Sequence, residues 1–347
     1  MSESEGSETE ATESGVSGPS ELFVVNGAGP VGWTVAEQLA AAGHRVRVLT
    51  RSGSGPAGAR IKRRPVDVSD AGQLGDAFAG AGAVFHCIHG SQYSAKAWEK
   101  ELAAAEQTVL AAAAGAGAVV VFPESLYAYS EPERTMREDG PREASGGKRG
   151  VRTGLLRARA ASPADTVSVV AGDFFGPRVR GSHAGERVVR PVLAGKSLQV
   201  IGSASQPHSF TYVPDLAAAM IAAARTPALW NRVWHAPTGP ALTQRQIAGA
   251  FAAAAGVRAP RVTAVPGWVV RAAGWFSPGM KELAETLYQF ERPFVMDSGA
   301  SEAALGLRPT PLTEAAAATV GWWREQAAAG QASSASAAAA ASRRAES

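Results

Sequence analysis

The sequence predicts an α/β fold: a doubly wound parallel sheet followed by a smaller, mostly helical C-terminal part. Three observations predict it. The apolar run Leu22-Phe-Val-Val-Asn26 enters a glycine cluster at Gly27, Gly29 and Gly32, and helical spacing begins directly behind it. Short apolar stretches then alternate with helical ones up to about residue 171, as in a parallel sheet covered on both faces. Beyond about residue 177 the alternation loosens and helical spacing takes over.

The first unit is a strand, a tight turn and a helix over about residues 30–42, with G-x-G-x-x-G across the turn. That is the setting of a Rossmann-type dinucleotide site. Gly27 lets the chain leave the strand sharply, and Gly29 removes a side chain so that backbone N–H groups can approach a pyrophosphate. Gly32 lets the helix pack closely on the strand. Pro30 and Val31 open the helix, whose N-terminus offers unpaired N–H donors and partial positive charge. Residues 44–50 form the second strand. An acidic residue just past it would accept from the ribose 2′-OH of NAD, but the chain has Thr50-Arg51-Ser52-Gly53. Arg51 suits a 2′-phosphate, so NADP is expected, with NAD as the alternative. Asp67 and Val68 follow a third strand, where an Asp can accept from an adenine amine, and Asp70 reads as the N-cap of a helix over about 70–80. A strand at 83–89, a helix at 95–114 and a buried strand at 118–122 continue the alternation.

Composition narrows the function. Lys and Arg number 34 against 31 Asp and Glu, and no basic cluster is interleaved with aromatics, so no nucleic-acid partner is expected. No apolar run reaches a membrane-spanning length and no secretory signal opens the chain, so no membrane partner is expected. The one cysteine, Cys87, sits in an apolar strand and cannot form an internal disulfide, which makes a reducing cytoplasm the expected home. Residues 1–20 carry five Glu and no Lys or Arg and read as a disordered acidic tail. Residues 327–347, rich in Ala and Ser without an amphipathic stripe, read as a second tail.

In the second half, residues 166–171 form a strand and Asp173-Phe-Phe-Gly-Pro177 follows it. The Gly/Arg-rich segment to about 195 suits a binding loop. A short strand at 197–202 and an Ala-rich helix at 216–224 come next, then a helix capped by Thr243 with Gln246 at N3. The rest to about 326 reads as helical, broken at Pro266, Gly274, Pro278 and Pro293. The expected division is a dinucleotide-binding domain over 21–176, completed by about 205–228, and a substrate-binding part from 177–204 and 229–326. The cleft between them is the default substrate site.

Five segments in order, the glycine turn, Asp67-Val68, Ser125-Leu-Tyr-Ala-Tyr129, Asp173–Pro177 and Ser209-Phe-Thr-Tyr-Val-Pro-Asp215, resemble the extended short-chain dehydrogenase/reductase superfamily in its NAD-dependent epimerase/dehydratase branch. The resemblance covers about residues 22–325. It implies an NAD(P)-dependent oxidoreductase or isomerase acting on a small hydroxyl- or carbonyl-bearing metabolite, with a homodimer admitted as the assembly. The family uses a Ser, a Tyr and a Lys four residues after that Tyr: the Tyr moves a proton while hydride moves to or from the nicotinamide, and the Lys lowers the Tyr pKa and holds the ribose.

Ser125 matches the family Ser. The Tyr-x-x-x-Lys pair is missing: Lys148 stands where the Tyr would fall, and Arg152 or Arg149 is available for the ribose contact. Tyr127, on the same strand face as Ser125, is the expected substitute for the proton transfer, its phenol lowered by Lys148 or Arg152. Tyr129 is expected to pack. The resemblance places His89 beside the cofactor, with smaller claims for His183 and His208. No metal-ligand spacing occurs. The competing expectation is an NADP-binding sensor of the same fold that has lost its hydride chemistry.

Overall fold

A parallel sheet forms where apolar strands are buried on both faces and return through helices. The computed structural model describes residues 20–345, with side chains through residue 330. Its first half runs β1 (Leu22–Asn26), α1 (Pro30–Ala41), β2 (Arg45–Thr50), β3 (Ile61–Pro65), α2 (Ala71–Phe78), β4 (Ala83–His86), α3 (Ala95–Ala116), β5 (Val119–Ser125), α4 (Gly147–Ala160) and β6 (Thr166–Ala171). The second half adds β7 (Asp173–Phe175), α5 (Glu186–Leu193), β8 (Leu198–Ile201), β9 (Phe210–Tyr212), α6 (Val213–Ala224), β10 (Arg232–His235), α7 (Gln244–Ala255) and β11 (Val262–Val265). Five helices close it: α8 (Gly267–Ala273), α9 (Pro278–Glu285), α10 (Tyr288–Glu291), α11 (Gly299–Leu305) and α12 (Leu312–Ala345).

Seven parallel strands form the central sheet in the order β10-β6-β5-β4-β1-β2-β3. Succession reverses between β1 and β4, so their carboxyl ends flank the switch point where ligands of such sheets bind. One face packs Val25, Val35, Leu39, Val121 and Val169 against Leu216 and Met220 of α6. The other packs Val24, Val84 and Val120 against Leu74 and Phe78 of α2 and Val109 and Leu110 of α3. A separate core joins α5, α7 and α12 around Val189, Phe251, Val320 and Trp323.

Local signals set many boundaries. Asp70 caps α2, its carboxylate accepting from Gly72 N at 2.9 Å. Thr243 and Gln246 close the reciprocal capping box of α7. Two expectations change. The segment read as a binding loop to about 195 contains α5, because Val188, Val189 and Val192 share one buried helical face. The backbone of α12 is helical through Ala345, past residue 327, in keeping with the high helix propensity of alanine. Residues 1–19 of the expected acidic tail lie outside the described residues; Ser20 Oγ donates to Gly43 O. Among the described residues no helix is long and apolar enough to cross a membrane.

Candidate functional site

The glycine turn sits at the carboxyl end of β1. Gly27 has φ +92°, and a Cβ on Gly32 would lie 2.1 Å from Gly27 O, so backbone geometry requires the first glycine and close packing the last. Gly29 differs. It caps α1 with φ −70°, and a Cβ there would meet nothing within 4 Å. Neither backbone strain nor packing asks for glycine at that position; the missing side chain instead leaves free approach to the helix N-terminus. Pro30 is the first helical residue, and the Val31 and Gly32 N–H groups stand unpaired behind it. Cys87, just past β4, packs its Cβ toward Gly32, and burial pushes its thiol pKa up.

At the end of β2, Arg51 is exposed and forms no ion pair among the described residues. The Ser69 N–H and hydroxyl, with Arg51's charge adding to them, hold the Asp67 carboxyl below its ordinary value. The Val68 side chain is 8% exposed and belongs to the core beside Leu74 and Phe78, leaving only its backbone for a ligand. His89 sets its ring edge-on to Trp98 at 4.8 Å; burial and the charge of Arg152 lower its pKa.

Ser125 ends β5, its N–H and hydroxyl both donating to Glu124 Oε1 at 2.7 and 3.2 Å. Glu124 is buried and takes Arg159 on its other oxygen at 2.8 Å, while Arg159 forks onto Glu106 at 2.6 and 2.7 Å. Arg152 reaches the Ser125-facing oxygen of Glu124 at 3.4 Å and lies over the Trp98 ring, with its Nε buried and unpartnered. Arg149 donates to the carbonyls of Tyr129 and Tyr127. Tyr129 packs as expected, with Leu126 and Met136.

The structure corrects two assignments. Lys148 is fully buried, and its ammonium is held by Glu282 and Glu285 of α9 rather than by a phenol Oη. It lies 4.7 Å from the ring centroid of Tyr93, and Lys148 is not among the groups that shift the Tyr127 phenol. The Tyr127 phenol is not lowered. Burial, then the charges of Tyr93 and Asp173, push its pKa well above the ordinary tyrosine value. Its Oη is 2.7 Å from Tyr93 Oη, and its ring stacks on Trp98.

Other residues at this edge went unmarked in the sequence. Glu124 carried a signal, a carboxylate inside the apolar run of β5. Tyr93, Thr286 and Gln289 carried none, since Tyr93 and Gln289 reach Tyr127, and Thr286 accepts from Tyr93, from distant segments. Asp173 lies in a segment that the resemblance quoted but was given no role. Among the described residues no group of three or more His, Cys, Asp or Glu is placed to hold a metal.

A family model for the NAD dependent epimerase/dehydratase family matches residues 22–233. Among similar solved structures, WbmH of Bordetella bronchiseptica, in complex with NAD+, is 18% identical with a TM-score of 0.69, covering 88% of this chain and 99% of that one. A UDP-glucose 4-epimerase of Thermotoga maritima with UDP-glucose is 18% identical, with a TM-score of 0.68 and coverage of 88% and 99%. DesIV of Streptomyces venezuelae, a dTDP-glucose 4,6-dehydratase double mutant with NAD, is 22% identical, with a TM-score of 0.67 and coverage of 88% and 97%. At these identities the likeness shows the fold. No curated protein matches the sequence.

Proposed function

The chain belongs to the NAD dependent epimerase/dehydratase family, and from that premise we propose an oxidoreductase or isomerase acting on a small hydroxyl- or carbonyl-bearing metabolite, with NADP preferred. The observation that carries the reading is Gly29, a glycine that the protein's own backbone and packing do not require, set at the same sheet edge as Ser125. The residues fit a dinucleotide. The Val31 and Gly32 N–H groups would hold its diphosphate, Arg51 its 2′-phosphate and Asp67 its adenine amine. Arg152 Nε, buried without a partner, is the donor left for the nicotinamide ribose, with His89 bordering the ring. Arg149 is spent on two carbonyls. When bound, the nicotinamide supplies hydride exchange. Ser125 then orients the substrate oxygen, and the Trp98–Tyr127 stack walls the cleft against water.

The test is a panel of alcohols, carbonyl compounds and sugar nucleotides, the last because UDP-glucose is bound in the Thermotoga structure. Each is offered with NADP(H) and NAD(H), followed by nicotinamide absorbance and product analysis. Turnover with NADP(H) is expected, and failure of the wild type to bind either dinucleotide sinks the proposal. The sensor reading draws support from Lys148, whose charge is already committed to α9. Tight NADP(H) binding without turnover of any panel member would favour it.

A further inference from the structure

The missing tyrosine leaves a proton without a carrier, and the cleft holds a buried ionisable pair with no evident packing role. Asp173 opens β7 two residues past Ala171, the register partner of Ser125 on the neighbouring strand. Tyr127 lies two residues past Ser125 in the 3-10 turn Leu126–Ala128, off the strand on which the two were expected to share a face. The charge of Asp173 reaches both Tyr93 and Tyr127. Its partner, His208, is 1% exposed and wedged between Phe290 and Phe294, with ring centroids at 4.8 and 5.3 Å.

The ring's contacts define its protons. Nδ1 lies 3.0 Å from Gln289 O, a carbonyl that only accepts, so Nδ1 carries hydrogen. Nε2 lies 2.9 Å from Asp173 Oδ2, an ion-pair distance at which the two atoms are not aligned for a hydrogen bond. A buried ion pair is a poor way to stabilise a fold, because desolvation offsets its attraction. Oδ2 is buried against the ring, and Oδ1, in a side chain 17% exposed, likewise makes no hydrogen bond among the described residues.

We propose that Asp173 is the acid–base residue of this site and His208 its positioning residue. This rests on the oxidoreductase reading. In the oxidising direction the substrate O–H bond breaks and its proton passes to Asp173 Oδ1. The oxygen's electron pair forms the carbonyl, and the carbon's hydrogen leaves with its pair to an oxidised nicotinamide. The proton then passes from Oδ1 to water; reduction reverses each step. Burial pushes the Asp173 carboxyl up, but the close contact with His208, with the charges of His183 and Arg187, holds it below the ordinary value. The groups facing it are His208 ahead of β9, His183 in the turn before α5, Arg187 of α5, Tyr127 after β5 and Tyr93 before α3.

Asp173→Asn, His208→Asn and His208→Gln in the full chain test this, with NADP(H) titration as the check on folding. Asp173→Asn is expected to lower kcat by about a hundredfold or more with NADP(H) affinity within about twofold. In the His208 variants only His183 and Arg187 still oppose burial, so the acid limb of kcat/KM moves to higher pH. Nitrogen-15 NMR of the His208 ring, without cofactor, should show hydrogen on Nδ1 and an Nε2 resonance that moves in Asp173→Asn. An active wild type beside an Asp173→Asn variant within threefold of it overturns the role of Asp173 alone. An unmoved acid limb, or an Nε2 resonance unchanged in Asp173→Asn, overturns the positioning role. A wild type inert to the whole panel overturns the oxidoreductase reading and this inference with it.

Discussion

Arg51 is the residue on which cofactor choice turns. It is exposed, forms no ion pair among the described residues and is placed just past β2, where an acidic residue would favour a free 2′-OH. Loss of a charge-assisted contact to a 2′-phosphate costs about 1.5–3 kcal/mol, so Arg51→Ala should weaken NADP(H) roughly tenfold to a hundredfold and leave NAD(H) unchanged. Isothermal titration of both cofactors decides it; equal wild-type affinities would remove the preference. Tyr127 bears on the proton path. With its phenol pushed well above the ordinary range and hydrogen-bonded to Tyr93, it is poorly suited to give up a proton. Tyr127→Phe should therefore cost less than about tenfold in kcat, below the range typical of a general acid–base group. A loss beyond a hundredfold in steady-state kinetics would return the role to this residue.

Among the elements, α4 and α9 are joined by one lysine. Lys148 is fully buried, its backbone N–H donates to Glu285 Oε1 at 2.6 Å, and its ammonium bridges Glu282 and Glu285. Removing one partner of a fully buried pair costs about 3–5 kcal/mol. Here the two carboxylates keep 27% and 29% exposure, so solvent takes up part of the loss, and Lys148→Met should destabilise by about 1–3 kcal/mol. Urea denaturation measures this. A midpoint unchanged from wild type would mean that the clamp contributes nothing to the fold. Lys148 thus fastens α4 of the sheet domain to α9.

For the whole molecule, acid stability follows from the groups beneath β4 and β5. Burial, with Arg159 adding to it and Glu106 opposing, lowers the His86 pKa from its ordinary 6.5 to about 4. The native state keeps this ring neutral while the unfolded chain protonates it. Stability is therefore unaffected above about pH 6.5 and falls as pH drops from there toward 4, at up to about 1.4 kcal/mol per unit and about 3 kcal/mol in all. Glu106 acts in the same direction at lower pH. Burial raises its carboxyl, but Arg159 holds it below the ordinary value, so the stabilisation present above that value is lost on acidification through its folded pKa. Urea midpoints between pH 7.5 and 4.5 should show the decline, and His86→Asn should flatten it above pH 5. An equally steep decline in that variant would assign the acid sensitivity to other groups.

The sequence by itself determined the features that depend on neighbours along the chain. Strand burial, the φ +92° turn at Gly27, the N-cap at Asp70 and the Thr243–Gln246 capping box each need only a few consecutive residues. The alternation of strands and helices then restricts the fold to a parallel sheet with its ligand edge at the carboxyl ends. Tertiary structure alone decided how the charges pair. Lys148 meets carboxylates 134 and 137 residues away, Arg159 finds Glu106 across 53, and Asp173 meets His208 across a turn of chain and a helix. Charged side chains are permissive in sequence because most stay in water, and only burial makes a partner obligatory. Lys148 and Tyr127 thus look catalytic by position, yet their chemistry is set by the distant groups that the fold brings against them.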